Sequence, residues 1–191
     1  MQGRPAAALA RRCALMFIIA SIVVGAAGSA EAVPRVVRAS TRPWFATFGF
    51  GPAIRLDELP NQFKIEQVIG YHFFGKGEGP ALGGAITQAF GDGWFNIGLG
   101  LRFWWDIQPV RGLGLYLAPF MHVGWSLFSY NECPRNVDCT RNLFDWQIGF
   151  EPRLVLGDRG MIFWRLVAIN PLFGQTVGAR YDMLFGGGVT F

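Results

Sequence analysis

The stretch of sequence that decides the fold is residues 94–105, which read WFNIGLGLRFWW. The odd positions from Phe95 to Trp105 are all large and apolar, whereas the even positions include Asn96, Arg102 and two glycines. Successive side chains on a β-strand point to opposite faces. The stretch therefore predicts a strand with one apolar face and one face that is small or polar.

The same alternation recurs along the chain and predicts eight strands in all. Gly-rich turns, as at 75–80, 91–93 and 157–160, separate several of them, and the longest separator covers about 128–142. The alternation is weaker over 81–90 and ambiguous over 161–170. In the latter segment, Arg165 predicts that four residues face the apolar side, namely Ile162, Trp164, Leu166 and Ala168. The seven segments besides 94–105 are 43–53, 62–74, 81–90, 113–127, 144–156, 161–170 and Tyr181 to Phe191.

The N-terminal region is predicted to be a targeting segment and not part of the fold. Three arginines precede an apolar run over 13–28, and two small residues in an A-x-A spacing follow it, at Ala30 and Ala32. This order is typical of a cleaved secretory signal peptide, with an uncleaved anchor as the alternative. The predicted organisation is a signal peptide over 1–32, a short lead-in over 33–41 and a β-domain over 42–191.

The composition excludes several classes of protein. Of the 191 residues, 51% are hydrophobic and only 16% are charged, so the chain is not disordered. Removal of 1–32 takes away three of the 17 basic and one of the 13 acidic residues, which leaves a net charge of +2. A nearly neutral chain without a basic run gives no support for nucleic-acid binding.

The size of the residues on each face indicates which face points outward and which lines the polar interior. The apolar face carries the large side chains, many of them aromatic and near strand ends, whereas the other face carries glycine, alanine and charge. A small membrane barrel needs an apolar outside and a narrow polar interior. Segments such as 144–156 also exceed the usual globular strand of about 5–6 residues. The pattern predicts an all-β, eight-stranded antiparallel up-and-down transmembrane β-barrel, with a soluble lipocalin-like barrel or sandwich as the alternative.

Over essentially all of 42–191 the chain resembles the small eight-stranded outer-membrane barrels of the OmpA/OmpX type. Its end carries Gly186, Val189 and Phe191, which resemble the signal read by the outer-membrane assembly machinery, although Leu184 departs from that pattern. The resemblance implies a monomer in the outer membrane of a Gram-negative-type bacterium, exported by its signal peptide and surrounded by outer-membrane lipid. With both termini on the periplasmic side, the odd-numbered connections would face outward.

The inner face is predicted to hold a balanced set of charges. Paired charges would plug the lumen, because buried charges must be compensated and an eight-stranded barrel only just holds its own side chains. The alternative is a narrow passive channel for small solutes. The predicted network comprises Lys64, Arg102, Arg153 and Arg165 with Glu66, Asp145, Glu151 and Asp182.

Catalysis and cofactors find little support in the sequence. His122 and Ser126 share a face, but they lie four residues apart along one strand. The distance between them is about 13 Å, which is too far for proton transfer. Outer-membrane lipid A deacylases are similar in size, yet their His-x-Ser-Asn motif matches neither His72 nor His122. We expect no metal site and no cofactor. A lipid-modifying barrel enzyme remains a second alternative to a structural or surface-interaction role.

The remaining candidate for binding is the polar loop 128–142. It contains Cys133 and Cys139, which can form a disulfide in an exported protein, with two free thiols as the alternative. Surface loops on a rigid scaffold are common binding sites. The loop is therefore either a site for an extracellular ligand or a stabilised but inert connection.

Overall fold

The computed structural model describes residues 40–57, 59–75, 77–91, 93–110, 113–130, 139–157, 159–174 and 177–191. The predicted signal peptide 1–32 and nearly all of the lead-in 33–41 lie outside these residues and stay predictions. The described residues form ten β-segments: β1 (Trp44–Arg55), β2 (Gln62–His72), β3 (Gly79–Gly91), β4 (Trp94–Asp106), β5 (Leu115–Tyr130), β6 (Thr140–Leu156), β7 (Gly160–Arg165), β8 (Val167–Gly174), β9 (Gly178–Asp182) and β10 (Leu184–Thr190).

The ten segments form eight full-length strands of one closed barrel. Each full-length strand, whether one segment or two, is called a stave below. Leu166 interrupts the seventh stave between β7 and β8, and Met183 interrupts the eighth between β9 and β10. Each stave pairs antiparallel with the next, and β1 closes the barrel by pairing with both β9 and β10. The prediction of an eight-stranded antiparallel up-and-down barrel is confirmed. No helix among the described residues has the length and apolar character to cross a membrane.

The two ends of the barrel differ in what they carry. At one end, called the terminal end, the Trp44 amide donates to the Phe191 carbonyl at 3.1 Å. The connections after β2, β4 and β6 lie at this end as well. The other four connections lie at the opposite, or loop, end. The longest of them is shorter than the predicted 128–142, because β5 continues to Tyr130 and β6 begins at Thr140.

The two faces of the sheet divide the side chains as the alternation predicts. In β4, Leu99 and Leu101 are each 62% exposed, whereas Asn96 and Arg102 are 2% and 1% exposed. The outward side chains form an apolar band around the barrel, and the inward ones fill it. The closed sheet pairs the backbone polar groups of neighbouring staves, which is what an apolar surrounding requires.

The seventh stave contains a β-bulge at Leu166–Val167. On the β6 side, Phe150 pairs with Val167 but Arg153 pairs with Phe163, so three steps along β6 oppose four along this stave. One extra residue on one strand is the definition of a bulge. Both residues of the bulge point outward, and each is more than a third exposed.

The bulge corrects one prediction about the seventh stave. Ala168 was expected to face outward, but it is fully buried, because the extra residue reverses the alternation beyond Val167. The reversal also turns Asn170 inward, where it is fully buried. The outward positions of Ile162, Trp164 and Leu166 agree with the prediction.

Candidate functional site: the buried charge ladder

All eight charged residues that the sequence assigns to the inner face are buried, and the structure adds two more. Asp106 and Arg180 are 3% and 1% exposed and point inward as well. The inner set therefore has five basic and five acidic side chains. We call this set the charge ladder: Lys64, Arg102, Arg153, Arg165 and Arg180 with Glu66, Asp106, Asp145, Glu151 and Asp182.

Glu66 on β2 lies at the centre of the ladder, between two arginines. Arg165 donates to its two carboxylate oxygens at 2.7 and 2.9 Å from β7. Arg102 makes a second fork from β4, with one hydrogen bond at 2.6 Å and a shorter one. Two-pronged arginine–carboxylate pairs fix geometry as well as charge. Glu66 thus ties three staves that are not all neighbours in the sheet.

The ladder continues from this centre toward the terminal end. Glu151 accepts from Arg165 at 2.9 Å and from Arg153 at 2.6 Å. Arg153 also donates to Asp106 at 2.9 Å, and the same Asp106 oxygen lies 2.6 Å from the His72 ring. Acidic and basic groups alternate along this branch, so each interior charge has an opposite neighbour.

A second branch leads from the centre toward the loop end. Gln147 accepts from Arg102 at 3.2 Å and donates to Asp182 at 2.7 Å. Lys64 donates to the same Asp182 oxygen at 2.6 Å. The neutral Gln147 therefore links the Arg102–Glu66 ion pair to the Lys64–Asp182 ion pair.

A separate polar cluster, built around Asp145, lies nearer the loop end. Asp145 accepts from Ser126 at 2.6 Å and from Asn170 at 2.5 Å. Arg180 donates to Asn170 at 3.0 Å and to Gln62 at 2.6 Å. The side chains of β2, β5, β6, β8 and β9 meet in this cluster, so it spans the lumen.

Aromatic rings fill the space between the arginines. The guanidinium carbons of Arg102 and Arg165 lie 4.8 and 4.6 Å from the centre of the Phe120 ring. Arg153 lies 5.1 Å from the ring centres of both Phe45 and Trp104. These distances are within the range of cation–π contacts. Aromatic side chains therefore occupy the space between the guanidinium groups.

At the terminal end, the last residues of the lead-in cover the mouth of the barrel. The Ser40 amide donates to the Tyr116 hydroxyl at 3.0 Å, and the Ser40 carbonyl accepts from the Gly77 amide at 3.0 Å. Ser40 precedes β1, whereas Tyr116 lies on β5, on the far side of an eight-stave barrel. The Tyr116 side chain therefore reaches Ser40 from across this mouth, and Ser40 is only 5% exposed.

At the loop end, an apolar cluster covers the opposite mouth. Leu59, from the connection between β1 and β2, packs against Phe128, Leu143 and Leu172, with Trp94 at the edge. Leu59 is 8% exposed although it belongs to a connection. Buried groups therefore lie at both ends of the polar interior, and the sequence pattern predicts neither Ser40 nor Leu59 there.

The structure places both histidines and Ser126 in the interior of the barrel. His72 and His122 face inward, as predicted, and are 1% and 3% exposed. Ser126 donates to Asp145, and among the described residues it makes no hydrogen bond to His122. A nucleophile needs a neighbouring base within hydrogen-bond reach.

The two remaining sequence-based assignments fall at the edges of the described chain. Gly186 faces inward, whereas Val189 and Phe191 point outward and are about half exposed at 52% and 49%. Their role as an assembly signal stays a prediction. Cys139 is described but Cys133 lies outside the described residues, so their disulfide stays a prediction too.

A closed eight-stave barrel with an apolar outside and a packed polar inside is the fold of the small outer-membrane β-barrels of the OmpA/OmpX type, as the sequence resemblance implied. Two solved structures illustrate the likeness. Neisserial surface protein A is 11% identical, with a TM-score of 0.62, over 80% of this chain and 99% of that chain. The N-terminal β-barrel domain of Pseudomonas aeruginosa OprF is 12% identical, with a TM-score of 0.54, over the same shares. No protein-family model and no curated protein matches the sequence.

Proposed function

We propose that this protein is an integral outer-membrane barrel with a sealed lumen, which serves a structural or surface-interaction role and performs no catalysis. The single observation that carries the proposal is the charge ladder, because five acidic and five basic side chains of the described residues are buried in the interior, and all but Asp145 and Arg180 make an ion pair with another member. Buried charges are tolerated when they are paired and hydrogen-bonded. A structure of this kind holds the barrel together and leaves no continuous water path.

The apolar band supports insertion into a membrane. Exposed aromatic and aliphatic side chains surround the barrel, including Leu99, Trp105 and Phe185. Soluble monomers rarely expose continuous apolar patches beyond a few hundred Å². The predicted signal peptide and the fold shared with outer-membrane proteins support the outer membrane of a Gram-negative-type bacterium as the location. The partners proposed are outer-membrane lipid and, through Phe191, the assembly machinery.

The proposed surface role belongs to the loop 128–142, of which residues 131–138 lie outside the described residues. Two long strands of the barrel, β5 and β6, support this loop at the loop end. A loop on such a rigid support is suited to contact an extracellular ligand.

Membrane insertion is tested by refolding the mature chain into phospholipid vesicles. We expect it to float with the vesicles and to migrate differently on a gel before and after boiling, because closed barrels resist detergent unfolding. Recovery as a soluble species without vesicles would overturn the membrane assignment.

The sealed lumen is tested separately, by planar-bilayer recordings on refolded protein. We expect no steady unitary current, because the guanidinium groups, carboxylates and rings leave no open lumen. Steady unitary currents would favour the alternative of a narrow passive channel. For the enzyme alternative, overexpression should leave the mass spectrum of lipid A unchanged, and a modified lipid A would contradict the non-catalytic proposal.

A further inference from the structure

A shallow apolar groove of about 410 Å³ crosses the outside of the barrel. It extends over four staves and follows two rows of cross-strand neighbours. One row consists of Phe103, Met121, Ile148 and Ile169, and the adjacent row contains Pro119, Phe150 and Val167 with Trp105 beside Pro119. Neighbouring strands lie about 4.8 Å apart, so three spacings make the groove about 14 Å long.

Irregular pairing on both sides explains why the surface is hollow there. The β4–β5 ladder is interrupted at Trp105 and Pro119, between the Trp104–Phe120 pair and the isolated bridge of Ile107 with Leu117. On the other side, the bulge at Leu166–Val167 interrupts the pairing with β6. Bulges bend the strand that carries them, and proline provides neither an amide donor nor a long side chain. The two irregularities leave a depression between large aromatic walls.

The direction of the groove suits a chain that enters from one leaflet. Trp105 is the residue before the last of β4, close to the terminal end. Ile169 lies further along the seventh stave, toward its middle. The groove therefore rises obliquely from the terminal end toward the middle of the apolar band. In the proposed orientation, this path leads from the periplasmic leaflet toward the bilayer midplane.

We propose that the groove is a binding site for one acyl chain of a phospholipid from the leaflet at the terminal end. The inference rests on the proposed membrane insertion. A stable protein partner would need about 800 Å² of surface on each side, whereas two rows over 14 Å provide roughly 100 Å². Within a bilayer there is no hydrophobic gain from leaving lipid, so close packing decides affinity. A concave surface contacts a hydrocarbon chain on several sides, which a convex barrel wall does not.

Tryptophan quenching by bromine tests the site in the unaltered protein. The barrel is refolded with phosphatidylcholine whose acyl chains carry bromine and is then diluted into an excess of unbrominated vesicles. The fluorescence of Trp105 is obtained by subtracting the fluorescence of Trp105→Phe from that of the parent. The fluorescence of Trp125 is obtained in the same way from Trp125→Phe, and Trp125 lies in the same apolar band but outside the groove. We expect Trp105 to stay quenched after dilution while Trp125 recovers. Equal recovery of both would overturn the proposal.

Groove-filling variants give a second, independent readout. Val167→Trp fills the groove, whereas Val123→Trp adds the same bulk at an exposed valine elsewhere on the band. Mass spectrometry of the barrel in mild detergent should detect a retained phospholipid in the parent and in Val123→Trp but not in Val167→Trp. Retention in all three, or retention of lipid A instead, would contradict the proposed occupant. If Val167→Trp does not fold, Ile169→Trp takes its place.

The two proposals fail in different ways. A barrel that does not float with vesicles contradicts membrane insertion itself. A barrel that floats and shows the heat-dependent gel shift, but whose Trp105 recovers as fast as Trp125, contradicts only the acyl-chain site.

Discussion

Glu66 is the residue on which the centre of the charge ladder depends, because it accepts hydrogen bonds from both Arg102 and Arg165. Glu66→Gln keeps the size of the side chain but removes the charge that two buried guanidinium groups share. Breaking a buried ion pair by removing one partner costs about 3–5 kcal/mol. We expect a loss of this size in the free energy of unfolding, measured by urea titration in vesicles.

The control for this change is Asp57→Asn, at an exposed position in the connection after β1. Surface substitutions usually change stability by less than about 0.5 kcal/mol. If both variants unfold at the same urea concentration, the ladder does not stabilise the barrel and Glu66 is not its centre.

Gly70 is a second position where a single residue decides the packing. A Cβ atom there would overlap the Phe45 ring, which lies 5.3 Å from Trp104 and 5.1 Å from the Arg153 guanidinium. Overpacking of this kind costs about 1–3 kcal/mol. We expect Gly70→Ala to lower the free energy of unfolding by that amount. Gly84→Ala, on the adjacent strand with open space around it, should cost little or nothing; similar losses at both sites would refute the packing argument.

At this scale, the sequence identified most of the ladder but not its pairing. The eight predicted charges could be assigned because each alternates with large apolar neighbours. Asp106 and Arg180 were missed because they lie one residue beyond the predicted segments 94–105 and Tyr181–Phe191. The pairing of Glu66 with Arg165 depends on the register of all the staves around a closed barrel, which no local pattern contains. The covering roles of Ser40 and Leu59 likewise arise only when the connections fold over the mouths.

Among the elements, the bulged seventh stave depends on a contact made outside the barrel. The Tyr181 hydroxyl donates to the Leu166 carbonyl, at the break between β7 and β8. An unsatisfied carbonyl in an apolar surrounding is costly. Tyr181→Phe should therefore lower the free energy of unfolding in vesicles by about 1 kcal/mol. Tyr71→Phe is the control, since the Tyr71 hydroxyl makes no protein hydrogen bond among the described residues. If both variants lose the same free energy of unfolding, the effect comes from the hydration of the hydroxyl and not from the bulge.

The same stave shows where prediction of elements from sequence stops. Five segments, 43–53, 62–74, 94–105, 113–127 and 144–156, alternate clearly, and their two faces could be assigned directly, whereas 81–90 alternates more weakly. In the seventh segment, Leu166 and Val167 are both apolar. The sequence therefore does not distinguish a bulge, in which both side chains point outward, from a regular strand, in which only one does. Only the pairing with β6 reveals the extra residue and the inward position of Ala168.

For the whole molecule, three groups of buried side chains follow one another along the lumen. Tyr116 and Ser40 cover the terminal end, Leu59 with its cluster covers the loop end, and the charge ladder fills the space between them. The groups at the two ends of the barrel are small, so each can be disrupted by truncating one large side chain. The ladder cannot be removed in this way, since it ties together most of the staves.

This arrangement predicts how the barrel responds when both mouths are opened. The double variant Leu59→Ala/Tyr116→Ala should lower stability, since truncating buried large side chains costs about 2–5 kcal/mol each. It should nevertheless show no steady unitary current in planar bilayers, because the ladder still closes the middle of the lumen. A gel shift on boiling verifies that the variant is folded before recording. Steady currents from the folded double variant, but not from the parent, would mean that the mouths seal the barrel and that the paired charges around Glu66 leave a path for ions.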